Sequence, residues 1–268
     1  LGTSRCLSVP MPPLHEPMPE AVTRLRVLTV NIHKGYTLFN SRYMLHELRD
    51  AIREVGSDLV FLQEVTGRPD DHALPVEHVQ YEFLADTLWP EHAYGRNAAV
   101  SGRNLGNAVL SNFPIVSQRN HLISQGRGEP RGLLHCVLDL GAGRGPLHVM
   151  CTHLGLSERQ RRQQLSLVRH LVDKDVPPEA PLILAGDFND WRSSADAQLA
   201  PLDMTEVFRS AQGAHARSFP ARWPLLRLDR IYVRGVAGAR PLPMPRQPWA
   251  QLSDHAPLAA EVHLKESP

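Results

Sequence analysis

Neither sign of charge dominates this chain. Twenty-nine Lys and Arg face 28 Asp and Glu, a net charge of +1 over 268 residues. No global field therefore draws in a nucleic acid, and any contact with a polyanion must be local. Cysteine is sparse too. Cys6, Cys136 and Cys151 form an odd set without C-x-x-C or zinc spacing, which argues against a disulfide framework. Cys136 and Cys151 lie in apolar runs, where a free thiol behaves as a small hydrophobe. No apolar stretch reaches the length that crosses a bilayer. The start, Leu1 to Glu20, is broken by Pro10, Pro12, Pro13, Pro17 and Pro19 and lacks the continuous apolar segment of a signal peptide. The expectation is a cytoplasmic, monomeric protein. Gly/Ser-rich and highly charged linkers are also missing, so a single domain is expected over residues 25–268, behind a proline-rich extension over 1–24. What is present, 42% hydrophobic and 21% charged residues, suffices for a substantial core.

Apolar periodicity predicts alternating strands and helices. Leu25 to Ile32 reads as a first strand. Ser41 opens a helical pattern carried by Leu45, Leu48, Ile52 and Val55 and closed by Gly56. Asp58 to Glu64 reads as a strand ending in a carboxylate, and a short helix is expected near Glu82 to Leu88, followed by a loop. Asn107 to Ser111, Leu133 to Leu140 and Leu147 to His153 read as successive antiparallel strands. Ser157-Glu158-Arg159-Gln160 matches a capping box. The helix it starts has an apolar stripe at Leu165, Val168, Leu171 and Val172, with Arg159, Arg161 and Arg162 expected on the solvated face. Pro181 to Ala185 reads as a buried strand that brings Asp187 and Asn189 to an edge, on one face by i, i+2 spacing. A weakly patterned helical region, Ser194 to Ser210, and a proline-rich loop precede the closing strands Leu228 to Arg234 and Ala256 to Leu264.

Polar groups suited to phosphoryl chemistry collect where these strands end or begin: Asn31, Glu64, His153, Asp187 with Asn189, Asp229, and Asp254 with His255. Taken singly, each reads as a cap or turn residue. Gathered at the ends of several strands, they read as a site.

The chain resembles the endonuclease/exonuclease/phosphatase family, which includes DNase I, the exonuclease III type abasic endonucleases, inositol polyphosphate 5-phosphatases and neutral sphingomyelinases. The resemblance runs from Leu25 to Leu264. It rests on Val30-Asn31, Leu62-Gln63-Glu64, Gly106-Asn107-Ala108-Val109-Leu110-Ser111, Thr152-His153-Leu154, Gly186-Asp187-Phe188-Asn189, Leu228-Asp229-Arg230-Ile231 and Ser253-Asp254-His255. It implies a DNase I-like four-layered α/β sandwich, two mixed sheets face to face with helices outside, and hydrolysis of a phosphate ester with Mg²⁺, Mn²⁺ being a possible substitute. Under that resemblance Glu64 is the first metal ligand, assisted by Asp254 and Asn31, since Mg²⁺ takes oxygen ligands and needs few carboxylates. His255 is expected as general base, aimed by Asp229. Asp187 is expected to position or activate the same water, and Asn189 and His153 to donate hydrogen bonds to phosphate, with His153 also available to protonate the leaving group. Arg131 is expected to clamp phosphate, and His33 and Lys34 to touch substrate.

The catalytic set does not choose among DNA, lipid headgroups and small phosphates. The absence of a Lys/Arg run disfavours duplex DNA, so a phospholipid-type or small phosphodiester is expected ahead of it. The alternatives are a DNase-type endonuclease and an inactive family member used for binding. The segment Phe219 to Leu226 reads first as a proline-stiffened loop packed under the sheet, and second as an apolar lip. Trp191, Trp223 and Trp249 read as core or loop anchors, and Arg96, Arg103 and Arg127 read first as solvated loop residues and second as a rim of the cleft.

Overall fold

The computed structural model describes residues 24–36, 42–67, 80–85, 89–100, 103–124, 129–141 and 144–265. Nearly all of the proline-rich extension, together with Cys6, Ser41 and Arg127, lies outside them. Two six-stranded mixed sheets make up the fold. The first runs β11 (Gly238–Leu242), β12 (Leu258–His263), β1 (Arg24–Asn31), β2 (Leu59–Gly67), β4 (Arg103–Ser111), β3 (Glu91–Val100). The second runs β5 (Ile115–Leu122), β6 (Gly132–Leu138), β7 (Leu147–His153), β8 (Leu182–Asp187), β10 (Asp229–Arg234), β9 (Thr205–Glu206).

Alternation along the strands explains the layering. On β1, Leu25 and Val27 point inward to meet Cys136, Val149, Ile183 and Ile231 of the other sheet, while Leu28 and Val30 point outward. The outward set is covered by α1 (Leu45–Val55) and α2 (Gln80–Ala85), joined by Trp249. On the second sheet, Met150, Leu182 and Leu184 face outward under α3 (Glu158–Asp175) and α4 (Ala195–Leu199). A further short helix, α5 (Val207–Gln212), follows β9. These are the helix, sheet, sheet and helix layers of a DNase I-like sandwich.

The helix termini follow the sequence closely. Ser157 Oγ accepts from the Gln160 amide, and the Gln160 side chain returns to the Ser157 amide, so the capping box is complete. Gly56 ends α1 in the left-handed conformation. Several expectations are corrected. Helix α1 begins at Leu45, after Met44, and α2 lies slightly earlier than expected. Strand β8 is central in its sheet and is not at an edge. Strands β3, β5, β9 and β11 were not anticipated, and Arg96 sits within β3 and Arg103 within β4. Arg161 is fully buried and not solvated: its guanidinium donates to the Gly155 and Leu156 carbonyls and lies 4.4 Å from the Trp191 ring centroid.

Candidate active site

Each sheet contains one parallel pair, β1 with β2 and β7 with β8, and the paired residues at their C-terminal ends are Asn31 with Gln63 and His153 with Asp187. Antiparallel β10 starts beside the end of β8, so Asp229 pairs with Asp187. Parallel neighbours finish at the same level, which is why ligand sites form beyond the carboxyl ends of such strands. Four of the predicted residues, Asn31, His153, Asp187 and Asp229, are thereby gathered by topology alone.

Two backbone departures complete the placement. Strand β2 runs past Glu64 to Gly67. It carries one extra residue between the Leu62–Ala108 and Val65–Gly106 pairs, with Glu64 at φ 55°. This bulge turns the Glu64 side chain out of the ladder and toward the cleft, a use to which bulges beside sites are often put. Asn189 lies beyond the end of β8 at φ 50°, so strand alternation does not position it. Its amide nitrogen donates to Asp187 Oδ1 at 2.9 Å and its side chain to the Leu154 carbonyl at 2.9 Å.

Asp187 is the hub. Its Oδ2 accepts from Asn31 Nδ2 at 3.1 Å and lies 3.3 Å from His153 Nε2 and 3.7 Å from His255 Nε2. Asn31 Nδ2 also reaches Glu64 Oε1 at 3.2 Å, and Asn31 Oδ1 accepts from the His33 amide. Asn31 therefore bridges two carboxylates through its donor end, and its oxygen accepts from the backbone while keeping a second lone pair. Ser253 Oγ donates to the Asn31 carbonyl at 2.7 Å, tying the Asp254-His255 segment to the end of β1.

Two histidines have opposite electrostatics. Burial would lower the pKa of His255, but the carboxylates of Asp229, 2.8 Å from Nδ1, and Asp187 outweigh it and raise it to about 10. In the ion-free protein this raised pKa favours the protonated imidazole at neutral pH. His153 is lowered to about 3 by burial and by Arg131. Arg131 Nη1 donates to His153 Nδ1 at 2.8 Å. Because a guanidinium only donates, the neutral imidazole must carry its proton on Nε2, facing Asp187. His153 is thereby held as a neutral hydrogen-bond donor through Nε2. Arg131 itself is buried, with Nη2 on Glu129 Oε2 at 2.7 Å. Its contact with His153 sets the tautomer of that ring.

The outer rim is carboxylate-rich. His33 Nδ1 lies 3.2 Å from Asp254 Oδ2 and 3.9 Å from Glu64 Oε2, and Lys34 Nζ lies 3.8 Å from Glu64 Oε2. Burial raises the Asp254 carboxyl above its usual range against the pull of His255 and His33, and Glu64 adds to the rise. Two oxygen donors that strain against each other's charge suit a hard divalent cation. A second donor set, Asp187, Asp229 and His255, has its donor atoms within 4.8 Å of one another.

Sequence reasoning missed the supports of this site. Arg230 is fully buried, donating to the Asp190, Asp229 and Arg227 carbonyls, and Asp190 accepts from the Ala195 amide and Ser194 Oγ. Asn107 crosses between the sheets to the Gly132 and Cys151 carbonyls. Arg230 and Asn107 lie inside the motifs quoted above and Asp190 directly follows one of them, which was the available signal.

The segment 219–226 corrects another expectation. Trp223 and Leu225 are each 65% exposed, so the apolar-lip reading holds. The segment is pinned to the site by Ala221 N on the Asp254 carbonyl and by Phe219, whose ring lies 5.0 Å from that of His255. Leu156 and Trp191, on the turns leaving β7 and β8, are also exposed, whereas Trp249 is core.

Comparison with known proteins agrees with this geometry. The chain is 48% identical over 244 residues to the uncharacterized protein YbhP of Escherichia coli strain K12, covering 89% of this chain and 96% of that one, and equally to YbhP of Shigella flexneri. Among solved structures, an endonuclease/exonuclease/phosphatase from Beutenbergia cavernae aligns with a TM-score of 0.74 at 21% identity, covering 92% of this chain and 73% of that one. Truncated TDP2 of Caenorhabditis elegans aligns at 0.65 and 19%, covering 90% and 98%. The profile of the endonuclease/exonuclease/phosphatase family matches residues 28–255, a span that opens in β1 and closes on the histidine paired with Asp229. By that match the chain belongs to the endonuclease/exonuclease/phosphatase family, whose members are in general metal-dependent hydrolases of phosphoester bonds.

Proposed function

We propose that the protein is a Mg²⁺-dependent phosphodiesterase, with Mn²⁺ as a substitute, acting on phosphodiesters that carry an apolar group close to the scissile bond. The observation that carries this reading is the continuous polar cluster joining both sheets: Glu64 to Asn31 to Asp187, with His153 and His255 converging on the same Asp187 oxygen. Glu64 and Asp254 are the proposed metal ligands. When bound, the ion supplies neutralisation of phosphate charge and of the departing oxyanion. Protonated His255, held by Asp229, and neutral His153, held by Arg131, are the proposed donors to phosphate oxygens. Asn189 holds the Asp187 loop and supports that set. The raised pKa of His255 favours Asp187 as the carboxylate that orients the attacking water and takes its proton. His33 and Lys34, standing over Glu64 and Asp254, close the cation side of the pocket.

The apolar lip supports the substrate class. Trp223, Leu225, Leu226, Leu156 and Trp191 are exposed on segments adjoining catalytic positions, and Arg217 and Arg222 are exposed beside the lip. Apolar side chains flanked by cations fit an anionic ester with a hydrocarbon portion better than they fit duplex DNA, which calls for several ordered phosphate contacts. The test is a panel of phospholipid, inositol phosphate, plasmid DNA and bis(p-nitrophenyl) phosphate with Mg²⁺ or Mn²⁺. Hydrolysis of a lipid-type diester, falling about 10²–10⁴-fold in Asp187→Asn and about tenfold or more in Trp223→Ala with Leu225→Ala, is the expected result. Efficient plasmid nicking that the lip variants leave untouched would replace this reading with a nuclease. Inactivity on every diester with every divalent metal would reduce the protein to a binding role.

A further inference from the structure

A second cluster of metal-ligating side chains lies away from the catalytic cleft, on the outer face of the second sheet. The register explains it. His121 on β5 pairs with Leu133, His135 on β6 pairs with Arg119, and His148 on β7 pairs with Val137. Each histidine is therefore diagonal to the next and on the same face, so His121, His135 and His148 form a line across three strands. The inward-facing residues of those strands are Leu134, Cys136 and Val149. The line is on the side covered by α3, whose last residue is Asp175.

From this arrangement we propose that His121, His135 and Asp175 bind a borderline divalent cation of the Zn²⁺ class, with His148 orienting His135. The donor atoms of the three residues all lie within 4.8 Å of one another. His121 Nε2 and Asp175 Oδ2 are 3.6 Å apart, and both are buried atoms with no hydrogen-bond partner among the described residues. That separation is too long for a hydrogen bond. It suits a bridging ion, since ligands about 2.0–2.1 Å from zinc at tetrahedral angles stand about 3.4 Å apart. Two orphaned polar atoms facing each other are costly to bury unless something joins them.

His135 meets the second requirement of a metal histidine, a partner for its other ring nitrogen. Its Nε2 is 2.9 Å from His148 Nδ1. Two neutral imidazoles at that distance share one proton, and a ligating histidine that donates its N–H outward is held in tautomer and orientation. Burial lowers the pKa of all three histidines, that of His135 to about 4, with His148 adding to the effect. Each is then neutral at pH 7, the form that ligates. Arg119 and Lys174 oppose positive charge at His121, so binding is weaker than at a closed four-ligand structural zinc site. Water completes the coordination. The ion joins the end of α3 to β5, the most exposed of the well-formed strands.

The experiment is a Co²⁺ titration of the full chain in saturating Mg²⁺, followed by visible absorption. One equivalent with the intense bands of tetrahedral coordination is expected, and it persists in Glu64→Gln, which alters only the catalytic pocket. His121→Gln and Asp175→Asn, on the partly exposed side of the cluster, should each weaken Co²⁺ binding at least tenfold while leaving Mg²⁺-supported hydrolysis unchanged. Zn²⁺ at about 100-fold over its Kd should raise Tm by about 5–10 °C in the parent chain, and not in His121→Gln. Co²⁺ binding abolished by Glu64→Gln, binding indifferent to His121→Gln, or no stoichiometric binding would each overturn the proposal.

Discussion

Arg131 shows how a single contact decides chemistry at the scale of one residue. An arginine in a Gly- and Pro-containing turn has the composition of a surface clamp, yet its guanidinium is buried with Nη1 on His153 Nδ1. Replacing it with Met preserves length and removes the donor. The imidazole is then free to place its proton on Nδ1, and phosphate loses a donor that was aimed for it. Arg131→Met should lower kcat about 10–100-fold with a smaller change in KM. In ¹⁵N spectra at pH 7, His153 should pass from the Nε2–H tautomer to a mixture. A variant that loses activity while retaining the single tautomer would deny this role. The membership of the cluster was legible, because Asn31, Glu64, His153, Asp187, Asp229 and His255 sit at ends of apolar runs. Their protonation states were not. The value near 3 for His153 comes first from burial and then from Arg131, and the value near 10 for His255 from Asp229 and Asp187 overcoming burial; the tertiary fold sets both, and no local pattern encodes them.

At the scale of elements, legibility follows position within a sheet. Central strands β1, β2, β6, β7, β8, β10 and β12 are buried on both faces and read as continuous apolar runs. The strands that went unread, β3, β5, β9 and β11, are the four sheet edges. Edge strands hold their place through one neighbour and expose side chains, as β5 does along Val116 to Arg119, so their sequences show no clear period. The same geometry makes one central glycine critical. Gly186, at φ +147°, pairs with Thr152 across the parallel β7–β8 ladder, and a Cβ there would stand 1.9 Å from the Thr152 carbonyl oxygen. Relief would require the strands to part where Asp187 and His153 are delivered. Gly186→Ala is expected to cost about 3 kcal/mol or more in urea unfolding and to remove activity. Gly145→Ala, whose Cβ would meet nothing within 4 Å, should change stability by less than about 0.5 kcal/mol.

For the whole molecule, near-zero net charge means that stability against pH is set by a few buried histidines and not by global repulsion. His153 and His135 are lowered by burial to about 3 and about 4. Below their unfolded value near 6.5 the unfolded chain takes up protons that the native protein refuses, so stability falls as pH drops from 6.5 toward 4. The slope is about 1.4 kcal/mol per pH unit for each, or about 2.7 together. His148 and His121, lowered in the same direction, steepen this arm. His255 has the opposite sign. Raised to about 10, its contribution is complete below pH 6.5 and is lost as pH rises toward 10, at about 1.4 kcal/mol per unit. Asp196 and Glu206 raise His215 as well against its burial, so it adds to that alkaline arm. Urea unfolding in EDTA between pH 4.5 and 8.5 should therefore give a maximum near pH 6.5, with the acid side steeper. His135→Gln should remove about 1.4 kcal/mol per pH unit from the acid slope, and His255→Gln should flatten the alkaline side while abolishing hydrolysis. An alkaline arm that survives His255→Gln intact would mean that the Asp229–His255 pair does not carry the charge assigned to it, and the assignment of phosphate-donor and water-orienting roles to His255 and Asp187 would have to be reversed.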